Sequence, residues 1–210
     1  MIISDKYKCI FIRIPKTGST SFEKMWKHID PQCISSNEDK PPYGHYKASE
    51  LRKIVGEKKW NEYFKCTFIR NPINWFRSQY CYNMLYQHKN NKQLHALLNN
   101  EYKLNNPDNK IIDIKDCVFF HVILKEWFNS SNQLNYIDEE INFIGFFEHF
   151  NRDVKYIWSH LNINNIPKHI MHVNKSSSKE YSFSDKSLQF LNWVLKKDIV
   201  FYNKRHKEKT

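Results

Sequence analysis

Glycine is scarce in this chain, which contains 4 glycines among 210 residues. Apolar residues never form a run that approaches the ~18 needed to cross a bilayer, and the N-terminal MIISDKYK lacks the features of a signal peptide. We therefore expect no transmembrane segment. Acidic residues are outnumbered, 22 against 33 Lys and Arg, so the net charge is +11. Such a surplus fits a polyanionic partner (nucleic acid, membrane surface, acidic glycan or multiply phosphorylated cofactor) without choosing among them.

Metal-binding spacing is also missing, because the 5 cysteines are scattered and none forms a C-x-x-C pair. We expect reduced cysteines, mostly in the core of a cytoplasmic protein, and no metal site. With 40% hydrophobic residues and 16% aromatic residues, the chain is globular. We expect a single domain over 1–210 with a polar loop insertion around 87–116.

The stretch Cys9–Glu23, CIFIRIPKTGSTSFE, reads as a strand, a polar loop and a helix. Its first four residues are apolar, β-branched or aromatic, which is typical of a strand, and Pro15 ends that strand. From Phe22 onward, apolar residues recur at i, i+3, i+4 and i+7, which predicts a helix. Thr20 and Glu23 have capping-box spacing, so we expect that box at the start of the helix.

The loop of this stretch has the features of an anion-binding site. Unpaired N–H groups at a helix start point at a ligand, and the helix dipole favours negative charge there. A cap needs one hydroxyl group, but this loop has four and a lysine. It is not a nucleotide P-loop, GxxxxGK[ST], because the first glycine is missing and the lysine precedes the glycine. The expected anion-binding residues are Lys16, Thr17, Gly18, Ser19, Thr20 and Ser21.

A second strand–helix junction lies at Arg70, directly after the predicted strand Cys66–Ile69. Asn71 is a good N-cap residue and Pro72 a good first helical residue. Ser78 lies two turns into the helix that follows. An arginine at a strand end and a serine on the adjoining helix can hold one phosphate from two sides, because the planar guanidinium group binds oxyanions with paired hydrogen bonds.

Together, the two junctions resemble a known family. The pattern PKTGSTS resembles the 5′-phosphosulfate loop of sulfotransferases that use 3′-phosphoadenosine 5′-phosphosulfate (PAPS). FIRNPINWFRSQY resembles their 3′-phosphate element, in which an arginine and a serine eight residues later hold the phosphate; here these are Arg70 and Ser78. The connecting GHYKASELRKIVGEKKWNEYF resembles the carbohydrate branch related to uronosyl 2-O-sulfotransferases (sulfotransferase family 2) and its bacterial or viral relatives. The resemblance covers residues 8–83.

An α/β fold follows from the strand–loop–helix units, with the cofactor at the carboxyl ends of the strands. The resemblance implies a P-loop NTPase-like three-layer fold, in which helices flank a central parallel sheet. It also implies that the loop after the first strand holds the 5′-phosphosulfate group, and that Arg70 and Ser78 hold the 3′-phosphate. A later loop with Lys175 and Ser176 resembles one that closes over the cofactor in the family.

The implied reaction is in-line transfer of a sulfuryl group from PAPS to an acceptor hydroxyl group, by positioning and charge stabilisation. Lys16 is expected to offset the charge that builds on the leaving phosphate. The acceptor must lose a proton, which requires a general base. We expect His45 in this role, because it follows the proline loop where the family places its histidine, and Glu23 is the second candidate. Glu148, which resembles a glutamate of the family, is expected to be structural.

The expected acceptor is a carbohydrate hydroxyl group; a small alcohol, a lipid headgroup and a tyrosine hydroxyl stay open, and no nucleic acid is expected. The missing membrane anchor departs from the Golgi members of the family and favours a cytoplasmic bacterial or viral enzyme. Two other functions are open. A non-enzymatic polyanion-binding module would explain the charge but not the two spaced motifs. A P-loop kinase would need a GK[ST] order and an acidic strand end, which the sequence lacks.

Overall fold

The computed structural model describes residues 1–35, 44–82, 111–112, 132–167 and 182–208. The chain divides into two compact units, Met1–Arg70 with Gln133–Asn174, and Asn71–Asn132 with Lys175–Thr210. The single-domain expectation stays a prediction.

The described strands are β1 (Ile2–Ser4), β2 (Cys9–Ile12), β3 (Ile34–Ser35), β4 (Phe64–Ile69), β5 (Ile111–Ile112), β6 (Phe143–Phe146) and β7 (Ser182–Phe183). The described helices are α1 (Ser19–Ile29), α2 (Ala48–Glu62), α3 (Pro72–Tyr82), α4 (Phe150–His160), α5 (Asp185–Val194) and α6 (Lys196–Lys207).

A five-stranded mixed sheet in the order β3-β1-β2-β4-β6 forms the centre of the first unit. β2, β4 and β6 run parallel, with Phe11 beside Cys66 and Phe68 beside Gly145. β1 pairs antiparallel with both β2 and β3, so the edge of the sheet is antiparallel. The expected α/β fold with parallel core strands is confirmed, and the antiparallel edge adds to it.

Alternate residues of the parallel strands face opposite layers of the first unit. Phe11 and Phe68 face α1 and α4, where they join one buried apolar cluster with Phe22, Trp26, Phe150, Val154, Ile157 and Trp158. On the opposite face, the buried ammonium group of Lys65 donates to the carbonyl oxygens of Trp60 and Tyr63, at 2.8 and 3.0 Å, at the end of α2. Burial lowers the pKa of Lys65. Helices therefore cover both faces of the sheet.

The predicted capping box at Thr20 and Glu23 is wrong. α1 begins at Ser19, and its N-cap residue is Gly18, which has no side chain to accept a capping hydrogen bond. The carboxylate of Glu23 is buried and pairs instead with Arg13 at 2.7 Å and with Lys27 at 2.9 Å. The helical pattern predicted from Phe22 onward is confirmed, since its apolar residues are all buried in α1.

In the second unit, α3 begins at Pro72, as predicted. The Asn71 cap is also confirmed, because Asn71 Oδ1 accepts from the N–H group of Asn74 at 3.2 Å. β5 and β7 form a parallel pair. The buried core of this unit consists of Trp75, Phe76, Tyr80, Cys81, Phe183, Leu191 and Leu195. Apart from β5, the predicted insertion 87–116 lies outside the described residues.

Four of the cysteines lie in described segments and carry reduced thiols: Cys9, Cys33, Cys66 and Cys81. Three of them are buried, as expected of core residues, and burial raises the pKa of the Cys66 thiol. Cys117 lies outside the described residues, and the cytoplasmic location stays a prediction. Across the described segments, no helix has both the length and the apolar character of a membrane-spanning segment.

Candidate functional site

The two sequence motifs meet at one edge of the sheet in the first unit. Because β2 and β4 are parallel neighbours, with Ile12 beside Thr67, the loop after β2 and Arg70 after β4 both leave the sheet at its carboxyl edge. The Arg70 guanidinium group donates to the carbonyl oxygen of Lys16, over 3.4 Å. The structure therefore brings Arg70 to the predicted anion-binding loop.

The backbone of the loop is tightly turned. Lys16 has a φ of 62° and Gly18 a φ of 83°, so two of three consecutive residues are left-handed. A left-handed conformation costs a residue with a side chain about 1–2 kcal/mol, which the rest of the loop must offset at Lys16. The buried Thr17 hydroxyl group donates to the carbonyl oxygen of Ile14 at 2.8 Å and so closes the turn. The hydroxyl group of Thr17 therefore donates its hydrogen bond within the loop rather than to a ligand.

The start of α1 presents the donors that an anion requires. The first intrahelical hydrogen bond runs from the N–H group of Phe22 to the carbonyl oxygen of Gly18, at 3.1 Å. The N–H groups of Ser19, Thr20 and Ser21 precede that bond, at the positive end of the helix dipole. The side chains of Ser19 and Ser21 are buried, and Thr20 is half-buried. This geometry supports the predicted anion site.

Gly18 packs against two aromatic rings that the sequence did not place in the site. A Cβ atom on Gly18 would lie 3.0 Å from Phe150 Cε2 and 3.2 Å from Phe147 Cδ2. These contacts are with the protein's own rings, and the role of Gly18 in anion binding stays a prediction. Phe147 directly follows β6, the third parallel strand. Its position at the carboxyl end of a parallel strand is the feature from which the sequence could have placed it in the site.

Arg70 is held by two further residues of the first unit. Its guanidinium carbon lies 4.4 Å from the centroid of the Phe147 ring, a cation–π arrangement. The buried side-chain amide of Gln133 accepts from the N–H group of Arg70 and donates to its carbonyl oxygen, both at 2.8 Å. The strand end is therefore pinned on both sides of the residue. No sequence pattern singled out Gln133, because it lies 63 positions from Arg70.

His45 lies beside the root of the loop. Its Nδ1 atom is 3.0 Å from the carbonyl oxygen of Arg13. A carbonyl oxygen only accepts hydrogen bonds, so Nδ1 carries the hydrogen atom, and in the neutral ring Nε2 carries the lone pair. Arg13 is itself fixed by its buried ion pair with Glu23 on α1. The position of the His45 ring is thus tied both to the end of β2 and, through Arg13, to α1.

The other predicted residues are placed as follows. Ser78 is buried on α3 in the second unit, and Glu148 is exposed on the short 3-10 helix Phe147–His149. Lys175 and Ser176 lie outside the described residues. The described segments place no group of three or more His, Cys, Asp and Glu residues that could hold a metal ion, and the absence of a metal stays a prediction.

Comparison with known proteins gives two matches. The chain matches the family described as "Sulfotransferase family" over residues 1–204. It is also similar to carbohydrate sulfotransferase 10 of Gallus gallus, with 24% identity over 56% of this chain. That match spans 36% of the length of the chicken protein. No solved structure gives a significant match.

Proposed function

We propose, since the chain belongs to the sulfotransferase family, that it transfers a sulfuryl group from PAPS to a hydroxyl group of a carbohydrate. The carbohydrate acceptor is supported by the similarity to a carbohydrate sulfotransferase. The observation that carries the proposal is the meeting of Arg70 with the Lys16 loop at the start of α1.

The groups at this edge of the sheet suit a ligand with phosphate and sulfate groups. Residues 15–21 contain no carboxylate. The N–H groups at the start of α1, together with the side chains of Lys16 and Arg70, provide hydrogen-bond donors and two full positive charges. Lys16–Ser21 would hold the 5′-phosphosulfate group, with the N–H group of Thr17 rather than its hydroxyl contributing. Arg70, with Ser78, would hold the 3′-phosphate.

PAPS supplies an activated sulfuryl group, whose transfer leaves negative charge on the departing phosphate. Lys16 would offset that charge, because an ammonium group close to the developing charge lowers the barrier to transfer. His45 would accept the proton of the acceptor hydroxyl group at Nε2, since the bond to Arg13 places the ring hydrogen on Nδ1. In this proposal Glu23 anchors Arg13 and is not the base. Lys175 and Ser176 remain proposed cofactor contacts.

The donor is tested by thermal unfolding with and without the desulfated product of PAPS, 3′-phosphoadenosine 5′-phosphate (PAP). A ligand at a hundredfold excess over its Kd stabilises by about 2.7 kcal/mol, which raises the Tm by several degrees. Arg70→Ala should lose most of that rise. Arg52→Ala is the matched control, because the Arg52 guanidinium group is already paired with Glu57 and Glu139, at 2.7 and 2.9 Å, and this variant should keep the rise.

The same experiment separates the alternatives. Stabilisation by ATP with Mg²⁺ and not by PAP would favour a kinase, and stabilisation by neither would favour the polyanion-binding module. Transfer from labelled PAPS to oligosaccharides, compared with small alcohols and tyrosine peptides, then tests the acceptor. Transfer to tyrosine alone would contradict the carbohydrate proposal and leave the PAPS proposal intact.

A further inference from the structure

A basic face lies on α6 in the second unit, and none of its residues is assigned to the reaction. It consists of Lys196, Lys197, Val200 and Lys204, all of them exposed. These positions fall on one side of the helix, because residues three, four and seven apart share a face. Asp198, the acidic residue within α6, is buried on the other side. We call these four residues the α6 lysine face.

Helix stability does not explain the first two lysines. Lys196 and Lys197 occupy the first turn of α6, where the positive end of the helix dipole disfavours cations by about 0.3–1 kcal/mol each. Lys204, in the last turn, is favoured by the same dipole. Two lysines placed against the dipole and exposed to solvent indicate that the charge serves a partner rather than the fold.

An exposed aromatic residue, Trp193, precedes Lys196 by three positions, near the end of α5. Trp193, at the end of α5, is 74% exposed, and Val200 is 60% exposed. Phe190 lies beside Trp193, with ring centroids 6.1 Å apart. A large indole ring exposed to this extent offers a flat apolar surface on which a sugar ring or a nucleobase can stack.

The arrangement of the charges on the α6 lysine face indicates the kind of partner that it binds. From Lys196 to Lys204 the helix rises by about 12 Å, so the cations follow a line and suit a linear polyanion. A membrane-surface helix needs a broad apolar face, but here Val200 is the one apolar residue among three lysines, and Tyr202 is buried. We propose that the α6 lysine face and Trp193 bind an acidic polysaccharide chain and so dock the acceptor. This inference rests on the proposed function, because a carbohydrate acceptor is what favours a glycan over a nucleic acid.

The test measures binding of a fluorescent hyaluronan oligosaccharide, an unsulfated uronic acid chain, to the full chain without PAPS. The triple variant Lys196→Gln/Lys197→Gln/Lys204→Gln should bind about tenfold more weakly or worse, with a shallower dependence on salt. Its Tm should be unchanged or slightly higher, because two unfavourable helix charges are gone. Trp193→Ala should weaken binding severalfold and leave the salt dependence unchanged, since the indole ring carries no charge.

A charge-matched control separates a local site from the net charge of the molecule. Lys6→Gln/Lys24→Gln/Lys58→Gln removes three exposed lysines of the first unit and should retain nearly all hyaluronan binding. Equal loss in both triple variants would overturn the proposal. Tighter α6-dependent binding of single-stranded RNA, or of vesicles of phosphatidylserine and phosphatidylcholine, would overturn it too. Transfer that fails while hyaluronan binding persists would contradict only the proposed function, and transfer without α6-dependent binding would contradict only this inference.

Discussion

Gly18 combines a left-handed backbone with close contact to an aromatic ring. We predict that Gly18→Ala lowers the free energy of unfolding by about 2–4 kcal/mol. About 1–2 kcal/mol comes from the left-handed conformation, and the remainder from displacing Phe150, 3.0 Å from the new Cβ atom. Denaturant unfolding measures the change. PAP binding should weaken as well, because Gly18 precedes the first N–H groups of α1.

A double-mutant cycle isolates the contact with the ring. Phe150→Leu removes the Cε2 atom that the new methyl group would meet. Gly18→Ala should therefore cost less in the Phe150→Leu background, by about 1 kcal/mol, while the backbone cost is unchanged. An equal cost in both backgrounds would show that the backbone conformation alone requires glycine.

Gln133 holds the backbone of Arg70 through two hydrogen bonds. We predict that Gln133→Leu destabilises the fold by about 1–3 kcal/mol, because it leaves the partly buried N–H and carbonyl groups of Arg70 without their side-chain partners. It should also weaken PAP binding, although residue 133 carries no charge. Gln133→Glu is the informative comparison, since it keeps the acceptor and loses the donor. Unchanged PAP affinity in Gln133→Leu, measured by calorimetry on folded protein, would mean that Arg70 needs no such support.

At the scale of single elements, α1 is tied to the end of β2 by the buried pair of Glu23 and Arg13. We predict that Glu23→Gln costs about 3–5 kcal/mol, because it leaves the buried guanidinium group without its counter-charge. Lys27→Gln is the control: Lys27 pairs with the same carboxylate, but its side chain is 50% exposed. A pair of that kind contributes less than about 1 kcal/mol. Similar costs for the two variants, measured by urea unfolding, would contradict a structural role for the buried pair.

The elements that could be predicted are those with a local pattern. Apolar runs indicate β2 and β4, and helical spacing of apolar residues indicates α4. The pair Asn71-Pro72 marks the start of α3. β1 was missed, because its three residues become a strand only by pairing with β2 and β3. The helical stretch of residues 185–207 divides after Val194 into α5 and α6. Neither Gly nor Pro marks that boundary.

The same distinction holds for the site. Lys16–Ser21 and Arg70 belong to contiguous motifs, so the sequence alone indicated them, and the parallel pairing of β2 and β4 brings them together. Gln133 and Phe147 act on Arg70 from 63 and 77 positions away. The bond from His45 to the carbonyl oxygen of Arg13 spans 32 positions. Residues so far apart in the chain form no recognisable spacing pattern in a single sequence. Their contacts can be seen only in the folded structure, where the strands lie side by side.

At the scale of the whole molecule, the chain passes three times between its two units, after Arg70, Asn132 and Asn174. Each unit is therefore built from two separate segments, and neither segment contains all of its unit. A chain divided in this way should unfold in one cooperative transition, as the single-domain prediction requires. We expect coincident transitions by circular dichroism and tryptophan fluorescence.

Core variants in each unit test whether the whole chain unfolds in one cooperative transition. Leu191→Ala, in the second unit, and Val154→Ala, in the first, each truncate a fully buried side chain. Leu191→Ala should cost about 2–5 kcal/mol. Under one cooperative transition, it should also lower the hydrogen-exchange protection of β2 and β4 in the first unit by the same free energy. Val154→Ala should likewise lower the protection of α3. If each variant affects only the unit that contains it, the units unfold separately, and the single-domain prediction is wrong.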